Sequence, residues 1–443
     1  MKKKSIIIIS VIILLLVVGG IYWYLFFYGK GNPITPVTNP PDGFSPLSNG
    51  FPVSNGTSTN NNNNGGEQGQ PISNTEPIPS LRLLSNTPIG GYGASTTAST
   101  TIVRWVDRGR GNVMEAKGNS LTIDTLSNTI LPRTYQSVWN KNISAFIGSL
   151  LPSKTDVPTV IYAQLKVQAT STLPKQIISI ASTTLVNSNS SSDTQTTNLT
   201  PYSLKGKNLP EGMIDYAVSP KGDNIFMLVK ESNSGVGYIA NFDGTSVVKI
   251  FNTPLTQINV DWPEETTIAI TTKGSSSQAG FLYFVNTKTG IWKKIVGPIF
   301  GLSTKVSRNA KYVLTSGTNK NGSISTNIYS TSNGTSTDAI IRTLADKCVW
   351  GNFYKELVYC AVPSEIESSI YPDDWYKGNI SFIDKIWQIN ATNGEAYLVS
   401  SIVDQSDRVI DAFNLGLDMK DDFLFFMNKS DLSFWSLDLN AKQ

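Results

Sequence analysis

The chain has 443 residues, of which 16% are charged and 40% hydrophobic, and its formal net charge is +3. Lys2, Lys3 and Lys4 supply that excess, so the remainder is nearly neutral and lacks the clustered basic face that nucleic-acid binding requires. Histidine is absent, which excludes catalytic triads, histidine general bases and HExxH zinc sites. We find no cofactor or metal-binding motif and therefore predict neither a cofactor nor a metal.

The first predicted element is an almost uninterrupted apolar run over residues 5–28. About 20 apolar residues suffice for a helix to cross a bilayer. The lysines before the run favour a cytoplasmic N-terminus with the bulk of the chain extracytoplasmic. We therefore predict that residues 1–29 form a cytoplasmic stub and a single-pass signal-anchor helix. The alternative is a cleaved signal peptide, which the bulky aromatics after Gly19-Gly20 disfavour.

A low-complexity stretch at residues 30–79 follows the apolar run. It contains repeated prolines and an asparagine run at residues 60–64, with almost no charge and no apolar periodicity. Such a segment cannot bury enough surface to offset the entropy cost of ordering it. We predict a disordered linker, whose roughly 50 residues would have a root-mean-square span of about 40 Å.

Residues 80–443 repeat one pattern of four short β-strands separated by polar turns. A period of about 40–45 residues with four strands is typical of the blades of a β-propeller. An insertion around residues 187–200 lengthens the second copy. The copies begin near residues 92, 136, 215, 258, 301, 346 and 410.

The last copy contains three strands before the chain ends. The segment Leu81–Pro88 matches the fourth-strand position of the other copies, so it can complete this blade and remove an open sheet edge. We therefore predict an all-β, seven-bladed propeller of four-stranded blades, whose last blade is closed by an N-terminal strand. The alternative is a pair of β-sandwiches.

Two segments resemble the repeat of TolB-type propellers, which are WD-repeat-like in architecture. The turn Ser219–Asn224, followed by Ile225 and Phe226, resembles one half of that repeat, and Phe281–Gly290 resembles the other. The segment Cys348–Ile389 also resembles uncharacterised membrane-anchored bacterial propeller proteins. The resemblance implies an architecture, but propellers serve as docking platforms in some families and as gates or substrate platforms in others.

Cys348 and Cys360 are the two cysteines of the chain. They lie in the two arms of a predicted hairpin whose turn is near Tyr354. Symmetric placement about one turn brings them opposite each other, at a separation that a disulfide can span. An exported location permits oxidation, so we predict a disulfide. The alternative is two free buried thiols.

The loop at residues 363–377 outgrows the repeat, and such loops tend to carry function. Acidic side chains beside aromatic ones could bind a sugar, a cation or a basic partner, and a tryptophan with tyrosines could form a protein-binding hot spot. The alternative is that the aromatics pack onto the neighbouring blade. The candidate binding residues are Glu365, Tyr371, Asp373, Asp374, Trp375 and Tyr376.

Three arginines lie in or next to a hairpin turn of the first blade: Arg104, Arg108 and Arg110. They could bind an anion, and a solvated turn is the alternative.

These features predict a membrane-anchored extracytoplasmic propeller that acts as a non-catalytic protein-docking scaffold at the cell envelope. Its partners would be the membrane, through residues 5–28, and an envelope protein, with no role for nucleic acid. We predict that the chain is not an enzyme and has no catalytic residue. The alternative is an envelope carbohydrate binder or a carboxylate-dependent glycan-active enzyme, although adjacent Asp373 and Asp374 point in different directions in an extended loop.

Overall fold

The computed structural model describes residues 77–151, 158–167, 202–319 and 321–441. These ranges form seven four-stranded antiparallel sheets, which confirms the seven-bladed propeller. The predicted anchor at residues 5–28, most of the predicted linker and the insertion around residues 187–200 lie outside the described residues. Within the described ranges, no helix is long and apolar enough to span a membrane.

The first three blades take their strands in chain order, and the first strand of each lies at the centre of the ring. Blade 1 contains β2 (Ile89–Thr96), β3 (Thr101–Asp107), β4 (Val113–Lys117) and β5 (Ile123–Thr125). Blade 2 contains β6 (Thr134–Trp139), β7 (Ala145–Leu150), β8 (Thr159–Val167) and β9 (Tyr202–Asn208). Blade 3 contains β10 (Met213–Val218), β11 (Asn224–Glu231), β12 (Ser234–Asn241) and β13 (Val248–Thr253).

The next three blades follow the same order. Blade 4 contains β14 (Ile258–Glu264), β15 (Thr267–Thr272), β16 (Ala279–Asn286) and β17 (Trp292–Phe300). Blade 5 contains β18 (Ser303–Val306), β19 (Tyr312–Thr318), β20 (Ile324–Ser330) and β21 (Ser336–Asp338). Blade 6 contains β22 (Cys348–Trp350), β23 (Leu357–Pro363), β24 (Asp384–Asn390) and β25 (Ala396–Ser400).

Blade 7 joins the two ends of the described chain. It contains β26 (Ala412–Leu417), β27 (Phe423–Asn428), β28 (Phe434–Asp438) and, at the outer edge, β1 (Leu81–Ser85). The pairing of β1 with β28 places Leu81 opposite Leu437 and Leu83 opposite Trp435. The predicted closure by an N-terminal strand is therefore confirmed. A 3₁₀ turn at Ala345–Lys347 and two short helices, α1 (Asp373–Lys377) and α2 (Ile402–Ser406), complete the described elements.

The core lies between neighbouring blades because strand side chains alternate between the two faces of each sheet. On β11, Ile225 and Met227 pack in the cluster shared with blade 2, whereas Phe226 and Leu228 pack in the cluster shared with blade 4. All four side chains are fully buried. The second strand of a blade is therefore apolar on both faces, which explains the continuous apolar runs of the sequence.

The turns divide between two faces of the ring. We call the bottom face the one that carries the turns between the first and second and between the third and fourth strands of each blade. The top face carries the turns between the second and third strands and the connections between blades. A central channel runs between these faces along the first strands.

Candidate functional site

The channel contains a cavity of about 490 Å³ toward the bottom face. First strands from five blades line it, together with first-turn residues of the remaining two. Its lining includes aromatic and charged side chains: Tyr92, Trp139, Tyr216, Lys141, Asp261, Arg308 and Lys355. We call the bottom opening of this cavity the bottom mouth.

The turns of blades 2 and 3 lie against each other at this mouth. In the β10–β11 turn, the Ser219 hydroxyl accepts the Asn224 N–H at 3.0 Å and donates to Asp223 at 2.8 Å. Gly222 has a φ of 77°, and a Cβ built on it would lie 2.5 Å from the Lys141 backbone nitrogen. Glycine is therefore required by both conformation and space, and the contact fixes Lys141 beside the opening.

The β18–β19 turn of blade 5 has the same serine-centred hydrogen bonds as the β10–β11 turn. The Ser307 hydroxyl accepts the Tyr312 N–H at 2.9 Å and donates to Asn309 at 2.8 Å. These bonds fix the turn that carries Arg308, whose side chain is exposed at the lining of the cavity.

The β22–β23 loop of blade 6 presents two exposed aromatics. Phe353 is 64% exposed and Tyr354 is 48% exposed, and their rings meet edge to face with centroids 4.8 Å apart. The backbone N–H groups of Asn352, Phe353 and Tyr354 all donate to the buried Asp421 carboxylate of blade 7, at 2.8–3.1 Å. These three hydrogen bonds fix the backbone that carries the two exposed rings, next to the exposed Lys355.

The mouth carries positive charge that has no partner among the described residues. Lys221 pairs with Glu265 at 3.7 Å, whereas the side chains of Lys141, Arg308 and Lys355 form no ion pair or hydrogen bond there. Among the described residues that line the 490 Å³ cavity, one is acidic, Asp261, and three are basic. The arrangement is therefore suited to a ligand with carboxylates or other anionic groups.

A polar cavity of about 830 Å³ adjoins the mouth between blades 2 and 3. Its lining is rich in amide, hydroxyl and carboxylate groups, including Asn140, Tyr162, Gln164, Asp223 and Asp243. Hydrogen bonds from the Thr245 hydroxyl and N–H lower the pKa of the Asp243 carboxyl. Several such groups in one cavity can form hydrogen bonds with the hydroxyls of a polar small molecule.

The loop at residues 363–377 lies on the opposite, top face. Tyr371 and Trp375 are buried in a cluster with Phe382 and Leu344. The backbone carbonyl of Tyr371 accepts the Thr318 hydroxyl of blade 5 at 2.7 Å. Two of the candidate binding aromatics therefore pack against neighbouring blades, as in the alternative interpretation of this loop.

The two aspartates of the loop serve separate local contacts. Asp373 accepts the Ser276 N–H at 2.7 Å and the Ser275 hydroxyl at 3.1 Å, which joins the loop to blade 4. Asp374 accepts the Ser369 hydroxyl at 2.6 Å and the Ile370 N–H at 2.9 Å, within its own loop. The structure does not bring these carboxylates onto one shared partner.

Glu365 and Tyr376 are the exposed members of the candidate set. The Tyr376 hydroxyl donates to Asp346 at 2.5 Å. A binding role for the loop stays a prediction, which would now have to use these two side chains.

The three arginines of blade 1 do not converge. Arg104 pairs with Glu115 at 2.8 Å and donates to the Ile143 carbonyl at 2.8 Å, toward the bottom face. Arg108 and Arg110 lie at the other end of β3, in its turn to β4 on the top face. Their separation does not provide a shared anion site.

The predicted disulfide is confirmed. Cys348 of β22 and Cys360 of β23 are direct partners in the strand register, and their sulfurs are bonded. Both lie in the core between blades 5 and 6.

The fold is similar to that of several solved propellers. The sequence matches no protein-family model and no curated protein. TolB from Acinetobacter baumannii matches 75% of this chain, with a TM-score of 0.38 and 10% identity. A Mycobacterium tuberculosis puromycin-hydrolyzing peptidase matches 77% (TM-score 0.42, 10% identity), and an oligogalacturonate lyase from Vibrio parahaemolyticus matches 79% (TM-score 0.46, 9% identity).

These matches extend to the fold and no further. The chain spans 60% of the TolB chain, 52% of the peptidase chain and 97% of the lyase chain. The resemblance to TolB-type propellers is confirmed at the level of architecture, and activity, substrates and partners do not follow from it.

The prediction that the chain is not an enzyme is contradicted by these comparisons. Matching chains include a puromycin hydrolase, an acylaminoacyl peptidase and an oligogalacturonate lyase, at identities of 8–10%. The absence of histidine removes histidine chemistry alone, so carboxylate, lysine and tyrosine chemistry remain available. A propeller fold does not exclude catalysis, and that prediction is corrected.

Proposed function

We propose that this chain is an extracytoplasmic propeller that docks an acidic segment of an envelope protein at its bottom mouth. The observation that carries the proposal has two parts: cations without a partner among the described residues line the mouth, and the exposed pair Phe353 and Tyr354 lies in the chain between two lining residues, Asn352 and Lys355. Aromatics in a fixed position lose little entropy on binding, and unpartnered cations both select and steer an anionic partner.

The extracytoplasmic location has two supports. The Cys348–Cys360 disulfide is of a kind that persists in oxidising compartments. The apolar run at residues 5–28, preceded by three lysines, is the pattern of an anchor that leaves the bulk of the chain outside the cytoplasm. On this account the anchor holds the propeller at the membrane while the mouth takes up its partner.

Charge reversal at the mouth tests the docking. The Arg308→Glu/Lys355→Glu double variant replaces two positive charges in the lining of the 490 Å³ cavity with negative ones. The matched control is Lys293→Glu/Lys294→Glu, which makes the same net-charge change on the exposed outer strand of blade 4. Each variant is expressed as the full chain, and partners are captured from solubilised membranes, quantified by mass spectrometry and mapped by cross-linking.

We expect one partner that cross-links through an acid-rich segment. Its recovery should fall at least tenfold with the mouth variant and stay unchanged with the control, because like charges across an interface cost several kcal/mol. Equal recovery with both variants, or cross-links from a segment without acidic residues, would contradict the proposal.

A carbohydrate ligand in the 830 Å³ cavity is the second candidate. The amide and carboxylate lining favours it, and Asp223 and Asp243 both face this space. Glycan-array binding by the chain, with turnover of chromogenic glycosides measured in parallel, provides the test. Gln164→Ala should weaken binding of a glycan that occupies this cavity, whereas Gln405→Ala, at an exposed position of α2 that does not line the cavity, should leave binding unchanged.

A further inference from the structure

A fully buried charged cluster lies between blades 6 and 7 on the top face. It contains Lys347, in the 3₁₀ turn before β22, Asp384, the first residue of β24, and Asp411, which directly precedes β26. All three side chains are 0% exposed. The Lys347 Nζ atom contacts Asp411 Oδ1 and donates to Asp384 Oδ2 at 2.8 Å.

Aromatic rings surround the amine. Lys347 Nζ lies 5.2 Å from the ring centroid of Trp375 and 5.1 Å from that of Phe382. Burying ions in such surroundings costs several kcal/mol per ion, even when they are paired. Lys347 is fully buried against two fully buried carboxylates, while a second lysine, Lys429, is only partly buried, with its Nζ 5.1 Å from the ring centroid of Trp375. The cluster would gain by replacing ions with a neutral group.

The two carboxyl groups have different environments. Asp411 Oδ2 accepts the Trp375 indole N–H at 2.9 Å and the Ser381 hydroxyl at 3.1 Å. These donors can stabilise negative charge on that oxygen, as an oxyanion hole does. Asp384 Oδ2 accepts the Ala412 N–H at 2.6 Å, while its Oδ1 has no partner among the described residues. Burial raises the pKa of Asp384 to about 6, which suits a group that takes up and returns protons.

We propose that Lys347 and Asp411 form an intramolecular isopeptide bond, with Asp384 transferring the protons. The Lys347 ammonium gives one proton to Asp384, which passes it to Asp411 Oδ1. The neutral Nζ then attacks Asp411 Cγ, and the charge that develops on Oδ2 is held by Trp375 and Ser381.

The tetrahedral intermediate then collapses to the amide. Asp384 takes a proton from the Lys347 nitrogen and delivers it to Oδ1, the bond between Cγ and Oδ1 breaks, and one water molecule leaves. Overall, one ammonium and one carboxylate become one amide and one water, and Asp384 is returned unchanged. No oxidant or co-reactant is needed.

The bond would join the segments that lead into blades 6 and 7. Blade 7 is closed by β1 through non-covalent contacts. A covalent link from Lys347 to Asp411 would fix this blade to its neighbour independently of β1. It would also constrain the unfolded chain over the residues between them, as a disulfide does.

The intact mass of the full chain, after reduction of the disulfide, tests the proposal. We expect a mass lower by one water molecule than the sequence requires. Trypsin should fail to cleave after Lys347 and should release residues 343–355 covalently joined to residues 409–420. An unmodified mass, with separate linear peptides 343–347 and 409–420, would overturn the proposal.

Two variants test the role of Asp384. Asp384→Asn keeps both joined residues but removes the proton carrier, so the protein should have its full mass and yield separate peptides. The control is Asp346→Asn, which removes a nearby carboxylate that binds Tyr376 and should leave the bond intact. Persistence of the bond in Asp384→Asn would overturn the assigned proton transfer. If that variant does not fold, the mass of the wild-type chain still decides whether the bond exists.

Discussion

Leu84 offers a direct probe of ring closure, because it projects from the closing strand β1 into the core shared with blade 1. Its side chain is 4% exposed and lies in a cluster with Ile89, Val103 and Trp105. Leu84→Ala removes three carbon atoms, which are worth about 0.8 kcal/mol each in transfer free energy. The remaining cavity adds to this, so we expect a loss of about 3 kcal/mol in the free energy of unfolding.

The assay is urea denaturation of the full chain, followed by tryptophan fluorescence. Trp105 and Trp435 are buried on either side of the closing strand and report on it. The matched control is Leu121→Ala, the same chemical change at a side chain that is 43% exposed. The control should lose under about 0.5 kcal/mol. If both variants shifted the midpoint equally, β1 would not be stabilising the ring as described.

Three further predictions concern the disulfide, a partly buried acid and the aromatic loop. Replacing Cys348 and Cys360 together with alanine should lower the free energy of unfolding by about 3 kcal/mol, from the entropy of a short closed loop, and denaturant titration measures this. Burial raises the pKa of Asp215 to about 6, above its ordinary value of 3.8. The contribution of Asp215 to the free energy of unfolding is therefore present below about pH 4 and is lost as the pH rises through 6, by up to about 3 kcal/mol. Unfolding measured across this pH range should show that decrease, and Asp215→Asn should abolish the contribution of this residue to it. Asp421→Ala should accelerate amide hydrogen exchange at residues 352–354 at least tenfold, and unchanged exchange would mean that the carboxylate does not hold the loop.

The repeat made the architecture predictable. Each blade has four short strands, and the second strand of blade 3 is a continuous apolar run. First turns such as those at Ser219 and Ser307 are held by local hydrogen bonds, so the signal lies within a few residues. The closing strand could also be placed, since a missing fourth strand in the last copy leaves one position for Leu81–Ser85.

The loop at residues 363–377 shows why site prediction was harder. A tryptophan and a tyrosine on an insertion are equally consistent with a protein-binding hot spot and with side chains that pack onto a neighbouring blade. The position of this loop depends on contacts of Asp373 with blade 4 and of Tyr371 with blade 5, whose partners are 97 and 53 residues away in sequence. Trp375 in turn donates to Asp411, 36 residues away. Contacts between residues so far apart in sequence cannot be predicted from a local sequence pattern.

The cations of the bottom mouth occupy equivalent positions in the repeat. Lys141, Lys221, Arg308 and Lys355 all occupy the turn between the first and second strands of their blades. Alignment of the copies would have placed them on one face of the ring. It would not have shown that Lys221 pairs with Glu265 of the next blade, or that the other three cations have no partner among the described residues, because such contacts join different blades.

Site-specific photo-cross-linking in native membranes shows whether a protein partner docks at the bottom mouth. A photoreactive amino acid is placed either at Phe353, on the bottom mouth, or at Tyr376, on the top-face loop. Docking at the mouth predicts a protein adduct from position 353, mapped to an acid-rich segment and lost when Arg308→Glu/Lys355→Glu is added. An adduct from position 376 alone, or an adduct from 353 that survives the charge reversal, would contradict the account.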